Sequence, residues 1–348
     1  MHLSVSFSKA SPAASGAGFV HNADKPPAAC SQKHELPMNF SPHGQSSTFR
    51  PRPERTSRNA AVDAEVSRRA ERSDNRLFAT ADSMQLVDIG ANLTHSSFRH
   101  DLADVLDRAR AHGVAQMVVT GASRDGSPEA LALARAHPGL LYATAGVHPH
   151  HATEYDAETD ALLRELVAAP EVRAVGETGL DYHRDLSPRP TQQFAFEEQL
   201  KIALDCGKPL FLHQRDAHDD FMAILRPLRD RLAAIVVHCF TGTREELVDY
   251  LDLDCHIGIT GWICDERRGA HLRELVPLVP ANRLMIETDS PYLLPRNLKP
   301  MPSHRRNEPM FLGHICEEIA RDRGETAEAV AAASTATARA FFGLQADA

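Results

Sequence analysis

The sequence predicts an α/β fold, a (β/α)8 TIM-type barrel that begins near Met84, and three observations carry that prediction. Eight short apolar runs alternate with helix-length amphipathic segments from Met84 onward, as in a parallel sheet with crossover helices. The runs share about 265 residues, the natural size of a closed barrel. No G-x-G-x-x-G follows the first run, so an open doubly wound sheet lacks its usual phosphate-binding turn.

The strands are expected at 86–90, 115–120, 141–147, 173–177, 209–213, 235–239, 256–260 and 283–287. Each is a run of five to seven mostly apolar residues between amphipathic stretches. Upstream, residues 1–83 are rich in Ser, Ala, Pro, Asn and Arg and show no period of 2 or 3.6. Such a segment cannot bury enough surface to offset its chain entropy, so it is read as a disordered extension. Either a start assigned too far upstream or an organelle transit segment accounts for it. Residues 84–348 form the barrel domain.

Charge and cysteine usage exclude several classes. The chain carries 38 basic and 47 acidic side chains, a net −9. Eleven basic and eight acidic residues lie in 1–83, which leaves the barrel near −12. A protein that grips duplex DNA by counterion release is usually basic, so any nucleic-acid contact here is local. The six cysteines form no C-x-x-C pair, which argues for a reducing compartment and a cytoplasmic location. No apolar run reaches the roughly 18 to 20 residues of a membrane helix. No obligate protein partner is indicated, and a monomer is expected.

Barrel enzymes set their chemistry on the C-terminal ends of the strands, where the loops surround one mouth. Here the first strand runs into Asp88 and Asn92, the third into His148 and His150, and the fourth into Glu177 and Asp181. The fifth ends at His213, the sixth at His238, and the eighth runs into Glu287-Thr-Asp289-Ser-Pro. A lone strand-end histidine is more often hydrogen-bonded scaffolding than a ligand. The period of two nevertheless puts Phe211 and His213 on one face of strand five and Val236 and His238 on one face of strand six. Two inward imidazoles beside Glu177 form a donor set suited to a divalent ion. Asp289 is the strongest remaining carboxylate, with turn capping as its structural alternative. Cys239 alternates with His238 and is expected to point away from the mouth. Gly90 and Gly146 are expected to be close-approach positions.

These residues resemble the TatD-type nucleases, a family of metal-dependent hydrolases. The resemblance spans essentially all of 84–344. It rests on Asp88-Ile-Gly-Ala-Asn-Leu, Ala145-Gly-Val-His-Pro-His, Gly176-Glu-Thr-Gly-Leu-Asp, Phe211-Leu-His-Gln-Arg-Asp-Ala-His, His238-Cys-Phe-Thr-Gly, Ile257-Gly-Ile-Thr-Gly-Trp, Glu287-Thr-Asp-Ser-Pro-Tyr-Leu-Leu-Pro and Arg305-Arg-Asn-Glu-Pro, in that order. It implies that Glu177, His213, His238 and Asp289 hold divalent metal, with Glu177 and Asp289 catalytic and His148 near the scissile phosphate. Where the family usually has His-x-His after strand one, this chain has Gly90 and Asn92, which leaves Asn92 as a substrate contact. Losing two nitrogen ligands favours Mg²⁺ over Zn²⁺, with Mn²⁺ a further candidate. The resemblance implies 3′-to-5′ removal of nucleotides from single-stranded DNA or RNA, and a role in DNA repair or nucleic-acid degradation.

Further substrate contacts are expected from Arg215, Arg305 and Arg306, which can neutralise phosphate charge, although a surface arginine pair is often only a solvated patch. Tyr182, Trp262 and Tyr292 follow strand ends, where they either stack on unpaired bases or pack locally. Two rival readings stand beside the nuclease. An amide or lactone hydrolase on this barrel typically carries a carboxylated lysine at the end of strand four, where this chain has Glu177. A non-catalytic nucleic-acid-binding protein would have no need for the whole set of Glu177, His213, His238 and Asp289.

Overall fold

The computed structural model describes residues 84–345. The expectation of a disordered extension at 1–83 therefore lies outside the described residues. Eight parallel strands follow one another around the sheet in chain order: β1 (Leu86–Ala91), β2 (Val114–Val119), β3 (Leu141–Ala145), β4 (Val172–Asp181), β5 (Leu210–Arg215), β6 (Ile235–Val237), β7 (His256–Ile259) and β8 (Leu284–Ile286). Helices α1 (Leu102–Ala111), α2 (Gly126–Ala136), α3 (Ala157–Val167), α4 (Arg189–Cys206), α5 (His218–Leu225), α6 (Arg244–Asp252) and α7 (Ala270–Leu275) connect them, and α8 (Leu312–Arg323) and α9 (Ala327–Phe342) follow β8. All eight expected strands are present. β4 continues four residues beyond the expected end, and β6 stops one residue before His238.

The ends of the sheet meet where β8 returns to β1. Asp289 N–H donates to the Gly90 carbonyl at 2.8 Å, and Asn92 N–H donates to the Ser290 carbonyl at 2.8 Å. Asp88 stitches the same seam: its fully buried carboxylate accepts from the Thr288 N–H at 2.9 Å and the Thr288 hydroxyl at 2.6 Å. Burial pushes this carboxyl up to about 7 against the hydrogen bonds from Thr288 and Gly90. Asp88 is thus a structural residue of the closure.

Two apolar layers hold the barrel. An outer layer packs Leu86, Met117, Val175, Leu212, Ile257 and Ile286 against residues of the helices such as Leu106, Phe196 and Ile315. A separate inner cluster takes Val87, Val118, Phe211, Val236 and Met285 from the strands. Phe341, Phe342 and Leu344, in the last turn of α9 and just beyond it, join that inner cluster. Phe341 meets His256, the first residue of β7, edge to face at 4.9 Å. The last helix therefore seals the N-terminal end of the barrel, and the polar residues are left to the opposite end.

Candidate metal centre

A cavity of about 520 Å³ opens at the C-terminal ends of the strands. Its lining includes Asn92 after β1, His148 after β3, Glu177 and Asp181 on β4, His213 and Arg215 on β5, His238 after β6 and Asp289 after β8. Backbone geometry sets the depth of the central carboxylate. Gly176 has φ +138°, and a Cβ there would run into the Phe211 carbonyl. A glycine at 176 therefore lets β4 press onto β5 beside Glu177.

Three imidazoles converge on one oxygen, Glu177 Oε1. His238 Nε2 lies 2.7 Å from it, His213 Nδ1 3.2 Å and His148 Nε2 3.2 Å. Ligand atoms of His148, Glu177 and His213 all fall within 4.8 Å of one another.

The three histidines differ in what stands behind them. His238 Nδ1 faces Glu287 Oε2 at 3.3 Å, and His213 Nε2 faces Asp181 Oδ2 at 3.4 Å. A carboxylate behind an imidazole holds the proton on the near nitrogen and frees the far one to ligate. His148 is backed the opposite way, because its Nδ1 accepts the His150 N–H at 3.0 Å. Its neutral ring then carries the proton on Nε2, the nitrogen that faces the mouth. On losing the proton that faces Glu177, His213 and His238 would have the tautomers of ligands, whereas neutral His148 keeps a proton on that side.

The electrostatics follow this division. Burial raises the Glu177 carboxyl, but the surrounding imidazoles outweigh it and hold the group well below its ordinary value. Burial lowers His238, yet Glu177 and Glu287 carry it well above its ordinary value. For His213 burial is likewise outweighed, by the nearby carboxylates of Asp181 and Glu177, and the net shift is upward. For His148 burial dominates, with His213 and His150 adding to it and Glu177 opposing it, and the imidazole falls to about 4. Asp289 rises to about 7 through burial, with Glu177 and Glu287 adding to the rise and His238 opposing it.

The donor set fits a divalent cation. An anionic carboxylate and two imidazoles meet at one place, and the protons on His213 and His238 stand where positive charge is favoured. His213 Nε2 is a buried nitrogen without a hydrogen-bond partner among the described residues, which a firmer contact with Asp181 would satisfy.

Several expected residues are placed differently. Asn92 Nδ2 donates to Asp289 Oδ1 at 2.8 Å, so the amide orients the carboxylate even as it lines the cavity. Tyr182 is outside the cavity lining: its hydroxyl donates to Asp220 at 2.7 Å, and Arg189 covers its ring at 4.3 Å. Its hydroxyl and one face of its ring are therefore engaged by the protein itself, away from the cavity. Arg306 turns inward to Asp101 at 2.6 Å and Glu308 at 2.7 Å, so it is separated from its neighbour Arg305 and from the mouth. Arg215, Trp262 and Tyr292 do line the cavity. Cys239 also lines it, contrary to the strand alternation, because β6 has ended at Val237 and Cys239 takes a left-handed φ of 46°. Among the described residues no lysine lines the mouth: Lys208 donates to the Ala169 and Val172 carbonyls, and Lys201 pairs with Glu198 on α4.

The sequence places Asp181 and Glu287 at strand ends, but their role as carboxylates positioning the imidazoles was missed. Glu287 is fully buried and accepts the Cys239 N–H at 2.5 Å besides facing His238. Room for it comes from the neighbouring strands, since a Cβ at Gly90 or Gly258 would strike its carboxylate. The absent side chain at position 90 is thus matched by a carboxylate entering from β8. A glycine on β1 opposite a glutamate at the end of β8 was the available signal, and it has meaning only once those strands are known to adjoin.

Comparisons with known proteins agree with this geometry. The family model described as TatD related DNase matches residues 87–343. A protein of Pantoea vagans named "3'-5' ssDNA/RNA exonuclease TatD" is 51% identical over 259 residues, which cover 74% of this chain and 100% of the relative. A protein of the same name from Erwinia tasmaniensis gives the same identity and coverage. Among solved structures, a TatD homologue from Escherichia coli superposes with TM-score 0.68 at 27% identity, covering 75% of this chain and 98% of that one. The chain belongs to the TatD related DNase family and is a metal-dependent hydrolase of phosphodiester bonds.

Proposed function

We propose that the protein is a Mg²⁺-dependent 3′-to-5′ exonuclease acting on single-stranded DNA and RNA, with Glu177, His213 and His238 holding the cation and Asp289 serving as general base. The observation that carries this reading is the convergence of three imidazoles on Glu177 Oε1, two of them backed by carboxylates and one by a backbone N–H. The exonuclease names of relatives about half identical to this chain support the substrate and the direction.

Bound at Glu177, a divalent cation supplies positive charge for the phosphoryl oxygens and makes water more acidic. Asp289, oriented by Asn92 and raised to about 7, is matched to accept the proton of an attacking water near neutral pH. His148 stays neutral and presents its Nε2–H to a phosphate oxygen, where charge develops in the transition state. Arg215 lines the same cavity and adds a fixed positive charge. The placement of Lys201 and Lys208 away from the mouth favours this chemistry over an amide hydrolase built on a carboxylated lysine.

The five described cysteines are free thiols, which supports a cytoplasmic location. Among the described residues no helix is long and apolar enough to cross a membrane. The test is digestion of end-labelled single-stranded DNA, duplex DNA, RNA and a small cyclic amide, each with and without Mg²⁺. Mg²⁺-dependent loss of the 3′ label from single strands supports the reading, and turnover of the cyclic amide alone would overturn it.

A further inference from the structure

A second groove, of about 540 Å³, is continuous with the metal-centre cavity: Trp262, Arg268 and Leu293 line both. Farther out it is bounded by Arg296, Met301 and Arg305. Its walls carry three arginines against one carboxylate, Asp265, in a chain whose net charge is −9.

Asp265 organises the charge. It is 4% exposed and is anchored by the backbone N–H groups of Arg267 at 3.0 Å and Arg268 at 3.2 Å. From there its Oδ2 reaches Arg268 Nε at 3.4 Å and Arg296 Nε at 3.8 Å. One carboxylate cannot neutralise two guanidinium groups, and both arginine side chains remain more than half exposed. Arg268 also lies 4.9 Å above the Trp262 ring, which places a cation beside a partly exposed indole. Met301, also exposed, adds an apolar face within the same groove.

Alternating cationic and flat apolar surface suits an unpaired nucleic-acid strand, whose phosphates need charge and whose bases need stacking partners. We infer that this groove holds the segment of single strand next to the nucleotide being removed, with phosphates on Arg268, Arg296 and Arg305 and a base on Trp262. The inference rests on the nuclease reading and extends it: the groove makes the enzyme sensitive to strand length beyond the scissile bond. It also explains how an acidic protein retains an anionic substrate.

The test uses the full chain, thymidine oligonucleotides of two and eight residues, and the variants Arg296→Glu and Arg305→Gln, which alter exposed side chains on one stretch of the groove wall. Two quantities are read: the gain in kcat/KM from dimer to octamer with Mg²⁺, and the octamer Kd by fluorescence anisotropy in EDTA. Wild type should gain about 10-fold or more with length, the scale of one stacked base and one or two phosphate contacts. In Arg296→Glu that gain should fall below about 2-fold while the octamer Kd rises about 10-fold, and Arg305→Gln should move both the same way by less. Cleavage with an undiminished length gain and an unchanged Kd in both variants would overturn the groove and leave the nuclease reading intact. Octamer binding that the variants weaken, without any cleavage, would keep the groove and overturn the nuclease reading. Neither binding nor cleavage would overturn both.

Discussion

The two ends of this barrel are made from the same eight strands and do opposite things. At the N-terminal end Phe341, Phe342 and Leu344 close the inner cluster of Val87, Val118, Phe211 and Met285, so that end contributes stability. At the C-terminal end the residues just beyond the apolar layer are Glu177, His213, His238, Glu287 and Asp289, all buried or nearly so. The two meet at Phe211, whose ring stacks under His238 at 4.4 Å. Charge can be buried at the mouth because the layer beneath is complete. The anionic and cationic groups offset one another there, and the packing below keeps them in place.

Substitutions at the two ends should separate these roles. Phe342→Ala leaves a cavity in the sealed end and should cost about 3 to 5 kcal/mol of unfolding free energy, read by chemical denaturation, with metal affinity of the folded protein unchanged. Asp289→Asn keeps an oxygen for the Asn92 amide and removes the basicity, so turnover on single-stranded oligonucleotide should fall about 100-fold or more with near-normal binding. A variant within a few-fold of wild type would remove Asp289 from the mechanism. Glu287→Gln withdraws the carboxylate behind His238 and should weaken metal binding about 10- to 100-fold. Gly90→Ala should weaken it in the same direction, because the added methyl strikes Glu287; calorimetry checks both.

A smaller effect is expected from pH. His213 and His238 have raised pKa values, so each holds its proton to higher pH than an ordinary imidazole and must release it to ligate. Metal affinity should therefore rise with pH, about 10-fold per unit for each proton released. An affinity that is flat from pH 6 to 8 would mean that neither histidine gives up a proton on binding.

Much of this was legible in the sequence because it depends on local pattern. All eight strands were recovered, since an apolar run between amphipathic stretches is a local signal. So was the convergence of Glu177, His213 and His238, because the barrel fixes where strand ends meet. The rest depended on contacts between distant segments. Asp88 closes the barrel through Thr288, 200 positions away, and Glu287 occupies space cleared by glycines on β1 and β7. Tyr182 and Arg306 carried the right chemistry for substrate but are held by Asp220, Arg189, Asp101 and Glu308. Cys239 escaped the period-two rule because the strand ends just before His238.

In the reading proposed above, Glu177, His213 and His238 hold the divalent cation and His148, whose Nδ1 accepts the His150 N–H, does not. Calorimetric titration of Mn²⁺ into wild type, His238→Ala and His148→Gln tests it most directly. His238→Ala should weaken binding about 100-fold or more, while His148→Gln should bind within a few-fold of wild type and lose turnover. Equal loss of affinity in the two variants would contradict it, since His148 would then be a ligand despite the backbone N–H on its Nδ1.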